Sequence, residues 1–184
     1  MKPIIASARS FFRWSQEDGV ELISRKKLRK LLRALALPKV PKSVQRTLSI
    51  DEVELLLNTC NLITTKGTRD AAIISALVDT GLRASELCRL KVADISFDTT
   101  LAPGVRVNQV AVVVKGGSTE HGYFGQRAAR HLQRWLQVRQ GVVAAGVEEV
   151  FVSLVRSNPG RSIDRHGLKT ILRNVGGEAG VSGV

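Results

Sequence analysis

The 184 residues predict a mainly α chain with one small antiparallel β-sheet, an α+β protein built as two bodies. Three observations point there. Apolar residues recur at helical spacing over most of the chain. Between residues 95 and 126 that period gives way to β-branched runs bounded by glycine and proline. Pro38 and Pro41 bracket a basic, polar stretch that suits neither period, since proline removes an amide donor and disfavours helix in the residue before it.

Taken in order, IIASARSFFRWSQE (4–17) is helical, with Ile5, Ala8 and Phe12 on one side and Arg9 and Arg13 on another. SRKKLRKLLRALAL (24–37) is a second helix, its Leu28, Leu31, Leu32 and Leu35 surrounded by Arg25, Lys26, Lys27, Arg29, Lys30 and Arg33. These two helices make a first body, 1–37. Residues 38–47 form an extended tether carrying Lys42 and Arg46, and 48–184 form the second body.

The second body opens on LSIDEVELLLNTC, where Ser49 and Glu52 have capping-box spacing ahead of the stripe Val53, Leu56, Leu57. GTRDAAIISALVDTG (67–81) reads as a buried helix ending at Gly81, and a short helix follows from Ala84 to Leu90. ISFDTT and VNQVAVVVKGG are strands, with a third near GYFGQ. QRAARHLQRWLQVRQ (126–140) is helical again. EEVFVSL is short and apolar, and SIDRHGLKTILRNV (162–175) is a last amphipathic helix that should end at Gly176 and Gly177.

The chain carries 28 Lys and Arg against 16 Asp and Glu, a formal +12. Residues 1–46 hold 12 of the basic and 3 of the acidic side chains, so the excess is concentrated near the N-terminus. Such a region attracts polyanions, because each cation that neutralises a phosphate releases condensed counterions. Arg9, Arg13, Arg25, Lys26, Lys27, Lys30, Lys42 and Arg46 are the candidate DNA contacts; the competing reading is a solvated basic face. Cys60 and Cys88 lack metal-ligand spacing and read as buried free thiols of a reducing cytoplasm. No metal or cofactor is expected. No apolar run reaches the roughly 18 residues of a membrane span.

Two positions carry candidate chemistry. Arg83 follows Thr80-Gly81-Leu82 at a helix start, where amides and helix dipole favour an anion and a guanidinium can fork onto two phosphate oxygens. Glu86, one turn on, either steadies Arg83 for that task or makes an ordinary surface ion pair with it. Lys115 ends the strand VAVVVKGG at a glycine turn, either as a mobile cation able to donate a proton or as an edge lysine that discourages strand pairing.

TGLRASELCRLKVADIS followed by VVVKGG resembles the tyrosine recombinases, also called the phage-integrase family, in which a TGLR-x-SEL-x-x-L-x-x-x-D-I segment carries the first catalytic arginine. ASARSFFRW is similar to the close of the family's helical core-binding domain. PKVPKSVQRTLSIDEVELLL is similar to its linker and first catalytic-domain helix, and RHGLKTILRNVGGEAGV to the helix before its second catalytic box. The resemblance implies metal-free phosphoryl transfer on double-stranded DNA. A tyrosine attacks a phosphate, leaving a 3′-phosphotyrosyl bond and a free 5′-hydroxyl. Arg83 matches the arginine that stabilises the pentacoordinate phosphate, Lys115 the lysine that protonates the leaving oxygen, and Glu86 a supporting residue. Intact relatives are expected to act as tetramers.

The pattern is incomplete. The family's His-x-x-Arg box, a later His or Trp and the nucleophilic tyrosine find no match, so the chain is expected to be a fragment cut at both ends and inactive alone. HGLK (166–169) falls one helix too early to be that box. Tyr123, the single tyrosine, follows Lys115 beside a strand and reads as a packing residue with a satisfied hydroxyl. The lysine turn continues GGSTEH rather than GKG-x-K-x-R, without the second lysine and the arginine. The alternative reading is a nucleic-acid-binding module, or a decayed gene product, with no chemistry.

Overall fold

The computed structural model describes residues 2–17, 24–34, 46–113 and 117–183. It is mostly helical with one three-stranded antiparallel sheet, and it divides into two compact units, Met1–Gln45 and Arg46–Val184.

In the first unit α1 (Lys2–Glu17) and α2 (Arg25–Ala34) are joined by Arg9, whose Nη1 donates to the Leu32 carbonyl at 2.9 Å. Leu28 is buried on the apolar stripe of α2, while Phe11 and Trp14 on α1 remain half exposed, their rings 5.9 Å apart. The expected tether, including Lys42, lies outside the described residues up to position 45.

The second unit is organised around α4 (Thr65–Thr80), in which every residue from 67 to 76 is buried. It is held between α3 (Ile50–Thr59), α6 (Gln126–Arg139) and α7 (Arg165–Ala179). One core cluster joins Ala72, Ile73 and Ala76 of α4 to Leu87, Val110, Phe124, Leu132, Trp135 and Phe151. A second joins Ala71 and Ile74 to Val53, Leu56, Leu57, Val175 and Val181. Burying so much of one helix removes its apolar surface from water on all sides, which makes α4 the rigid axis of the unit.

The caps form as their residues dictate. Ser49 Oγ accepts from the Glu52 amide at 3.2 Å while the Glu52 carboxylate accepts from the Ser49 amide at 2.9 Å, a reciprocal box. Gly67 sits where the turn 61–64 presses on α4: a Cβ there would lie 2.1 Å from the Asn61 carbonyl oxygen.

The sheet is a meander, β1 (Ile95–Ala102), β2 (Val105–Val113) and β3 (Thr119–Phe124), in the order β1-β2-β3. Bulges break the β1–β2 ladder twice, and Asp98 adopts φ 54° at one of them. The β2–β3 ladder is regular from Asn108↔Phe124 to Val113↔Thr119.

One feature departs from the sequence reading. α7 runs through Gly176 and Gly177 to Ala179 and ends at Gly180 (φ 71°), because Val175 and Gly176 are buried against α3 and Glu178 reaches Lys66 at 3.5 Å. Tertiary packing there outweighs the low helix propensity of glycine. The short apolar run at 150–152 is core and joins its neighbours through an isolated bridge, Val152↔Ser162, a pairing that the sequence reading did not address. The Val150 carbonyl accepts from Trp135 Nε1 at 2.8 Å and from Arg139 Nε at 3.1 Å, the Phe151 carbonyl accepts from the Ile163 amide at 3.2 Å, and Arg139 also donates to the Val147 and Glu149 carbonyls just before the run.

Candidate functional site

The candidate site is assembled where α4 ends. Gly81 takes the left-handed conformation (φ 64°) and its amide closes onto the Leu77 carbonyl at 3.0 Å, which stops the helix and turns the chain. Leu82 then packs on the core, and Arg83 becomes the N-cap of the short helix α5 (Ala84–Arg89).

Glu86 fixes Arg83 twice. Its Oε2 accepts the Arg83 amide at 2.7 Å and its Oε1 accepts Arg83 Nη1 at 2.8 Å. The carboxylate is 13% exposed and the guanidinium 77% exposed, so a sheltered anion steadies a cation that stands in solvent. The hydrogen bond from the Arg83 side chain is the main cause that holds the Glu86 carboxyl below its ordinary pKa, followed by the bond from the Arg83 amide. The same pairing raises the guanidinium, which is charged at every accessible pH. Only Nη1 is engaged; the other guanidinium donors have no partner among the described residues.

One expectation changes here. The amide of the N-cap, offered as part of an anion site, is already occupied by Glu86, so the helix start is not free to take an anion through it. The ion pair that the Arg83–Glu86 spacing offered does form, and the remaining donors of the arginine have no partner among the described residues.

The hairpin that carries Lys115 is oriented by Gly122. A Cβ on Gly122 would lie 3.2 Å from both Thr80 Cβ and Val110 Cγ2, so this face of β3 presses on the end of α4. Glu120 lies two residues earlier on the same face. Its charge acts on the Arg83 guanidinium, which places the loop end of β3 in Arg83's electrostatic surroundings. Lys115 itself, with residues 114 and 116, lies outside the described residues. An acidic residue beside the arginine was not foreseen; the missing lysine and arginine of GGSTEH were the signal.

Tyr123 points the other way. By strand alternation it faces away from Gly122 and Glu120, lines an open cleft with Asp79, Arg106, Asn108 and Gly125, and is 47% exposed. The expected satisfied packing role is therefore corrected: its hydroxyl has no hydrogen-bond partner among the described residues, because its side of the sheet is uncovered. Asp79 at that cleft caps α6 by accepting from the Gly125 amide at 2.9 Å.

The basic candidates separate. Arg13, Arg25, Lys26, Lys27 and Lys30 are exposed on α1 and α2. Arg9 is half-buried and ties the two helices. Arg46 pairs with Glu52 and approaches Ser182 Oγ at 3.4 Å, which makes it a staple between α3 and the segment after α7. The N-terminal weighting of charge hid a further set: Arg165, His166, Lys169 and Arg173 are exposed on α7, which packs against α5, and the spacing of four through Arg165, Lys169 and Arg173 was legible.

Cys60 and Cys88 are free and buried, and burial pushes the Cys60 thiol up to about 11. Among the described residues no cluster of His, Cys, Asp or Glu could hold a metal ion, and no helix is long and apolar enough to cross a membrane.

Residues 46–183 match the family model described as the phage integrase family. The chain belongs to that family. Within the phage integrases it is 29% identical over 178 residues to the tyrosine recombinase XerD of Listeria innocua, covering 96% of this chain and 54% of that protein. It is 31% identical over 141 residues to the tyrosine recombinase XerC of Corynebacterium glutamicum, covering 73% and 39% respectively. The chain thus spans about half the length of the curated relatives it matches.

Solved structures share the phage-integrase fold. A λ integrase fragment, residues 75–356, bound as a dimer to a COC′ core site superposes with a TM-score of 0.63 at 17% identity, covering 98% of this chain and 58% of that one. The XerA recombinase superposes with a TM-score of 0.56 at 22% identity, covering 99% and 62%.

Proposed function

We propose that this chain is the DNA-gripping and phosphate-clamping part of a site-specific tyrosine recombinase, acting on double-stranded DNA. One observation carries the reading: the Arg83 guanidinium stands in solvent with most of its donors open, braced from behind by a sheltered carboxylate. A cation held that way binds a phosphodiester without first reorganising, which is what stabilising a pentacoordinate phosphate requires.

In this reading Arg83 donates to the non-bridging oxygens as negative charge builds on them, and Glu86 is a positioning residue. Lys115 gives its proton to the 5′-oxygen as the P–O5′ bond breaks and the tyrosine O–P bond forms. Tyr123 is not the nucleophile of this reading, because by strand alternation it faces away from the side of β3 that carries Glu120 and Gly122. Residues 1–37 correspond to the end of a core-binding domain whose exposed cations, Arg13, Arg25, Lys26, Lys27 and Lys30, contact the DNA backbone. Residues 38–47 correspond to the linker, and 48–184 to the first part of the catalytic domain.

The 184-residue chain is accordingly inert in strand cleavage. Incubation with nicked suicide duplexes, followed by denaturing electrophoresis, is expected to show no covalent protein–DNA adduct, alongside salt-sensitive duplex binding that weakens in R83Q. An adduct mapped to Tyr123 contradicts the assignment of roles. Duplex binding that ignores both salt and R83Q contradicts the phosphate clamp.

A further inference from the structure

The helix α6 carries a surface that the recombinase reading leaves without a task. Over 126–139 it contains four arginines and no carboxylate. Ala128, Ala129, Leu132 and Trp135 face the core, and Arg139 turns inward onto carbonyls. Arg127 is neutralised by Glu54 of α3. Arg130 and Arg134 are exposed and make no ion pair or hydrogen bond with any described residue, and Gln133 and Gln137 flank them on the same outer face.

We propose that this outer face of α6 is a second phosphate-contacting surface, on which Arg130 and Arg134, aided by Gln133 and Gln137, grip the backbone of duplex DNA. The proposal takes its partner from the recombinase reading but its geometry from α6 alone. Four residues of helix separate the Cα atoms of Arg130 and Arg134 by about 6 Å of rise, so two long side chains on one face reach phosphates of the same strand. Like charges at that spacing disfavour the helix, and an anion between them removes the cost. Guanidinium forks and amide N–H groups supply donors that suit phosphate oxygens, and contacts to phosphate position the duplex without reading its sequence.

His131 reports on the surface from within. Its Nδ1 lies 2.7 Å from Ser75 Oγ of α4, which seats the ring beneath the arginine row. Burial first, then the charges of Arg127, Arg130 and Arg134, hold its pKa below the ordinary value; of the carboxylates near α6, Glu54 is bound to Arg127 and Asp79 to the Gly125 amide at the helix start. Phosphate seated on Arg130 and Arg134 cancels part of that field, so binding and protonation of His131 favour one another.

The test is an NMR titration of His131, assigned against H131Q, with and without a saturating nonspecific duplex, combined with affinity measured across a salt series. Wild type and R83Q are expected to show the His131 titration move upward on binding. R130Q/R134Q is expected to lose that movement, and its slope of log affinity against log salt is expected to fall by about 1.8, the share of two phosphates. R130K/R134K, which keeps both charges, is expected to retain the slope. Should R83Q bind like wild type while R130Q/R134Q still weakens, the Arg83 assignment fails and this surface stands. An unmoved His131 in wild type, an unchanged slope in R130Q/R134Q, or an equal upward shift with poly-glutamate at matched charge overturns the proposal.

Discussion

Glu86 is the residue on which the candidate site turns, because it spends both carboxylate oxygens on Arg83. Its folded-state pKa is depressed, so the stability it contributes is present above the unfolded carboxyl value and is lost as pH falls through the lower folded value. E86Q is therefore expected to lower the urea midpoint relative to wild type near neutral pH, with the gap closing as pH falls below the ordinary carboxylate range and the wild-type carboxyl takes up its proton. A gap of constant size would show that the carboxylate's charge does not hold Arg83. The pair was legible from the spacing R-x-x-E, but which partner would be sheltered was not. That depends on Leu87, fully buried next in sequence, drawing Glu86 toward the body while Arg83 stays at the turn. Glu120 was invisible for a related reason: its approach to Arg83 depends on Gly122 admitting the end of α4 against β3, a long-range contact.

Among the elements, α4 was the easiest to read and held the largest surprise. Its Ala- and Ile-rich pattern and its stop at Gly81 are local signals, and both appear as expected. The adjacent Arg69 and Asp70, polar by type, are nonetheless buried together. Arg69 Nε and Nη2 donate to Asp70 Oδ1 at 2.9 and 2.7 Å, Nη1 donates to the Val152 carbonyl at 3.4 Å, and Lys66 approaches the other Asp70 oxygen at 3.6 Å. No period of apolar residues announces a charge pair whose further partners are Lys66, one turn earlier on α4, and the Val152 carbonyl, remote in sequence. The turn before α4 makes the sharper prediction. G67A forces a methyl group against the Asn61 carbonyl, a backbone atom that cannot swing aside, and is expected to cost about 1–3 kcal/mol. Urea unfolding would show this as a lower midpoint with an unchanged slope; a midpoint equal to wild type would mean that the turn 61–64 does not sit on α4.

For the whole molecule, charge gave the right sign and an incomplete map. The excess over residues 1–46 is real, yet Arg9 and Arg46 are spent on internal contacts, whereas α6 and α7 expose cations that the overall balance of residues 47–184 conceals. Averages over a segment cannot show that Glu54, Asp98, Glu148 and Glu178 are paired with particular lysines and arginines, leaving others open. The recombinase segments, by contrast, could be read directly, because TGLRASEL is a local motif whose turn, cap and helix start are fixed by adjacent residues. In the proposed mechanism Arg83 and Lys115 converge on one phosphodiester. Cross-linking tests it most directly: R83C/K115C, treated with the shortest bismaleimide, against wild type, whose buried Cys60 and Cys88 provide the background. An intramolecular link formed rapidly in the double variant and absent from wild type is the result predicted here; no link at the shortest spacer, with efficient linking only at long ones, would contradict it.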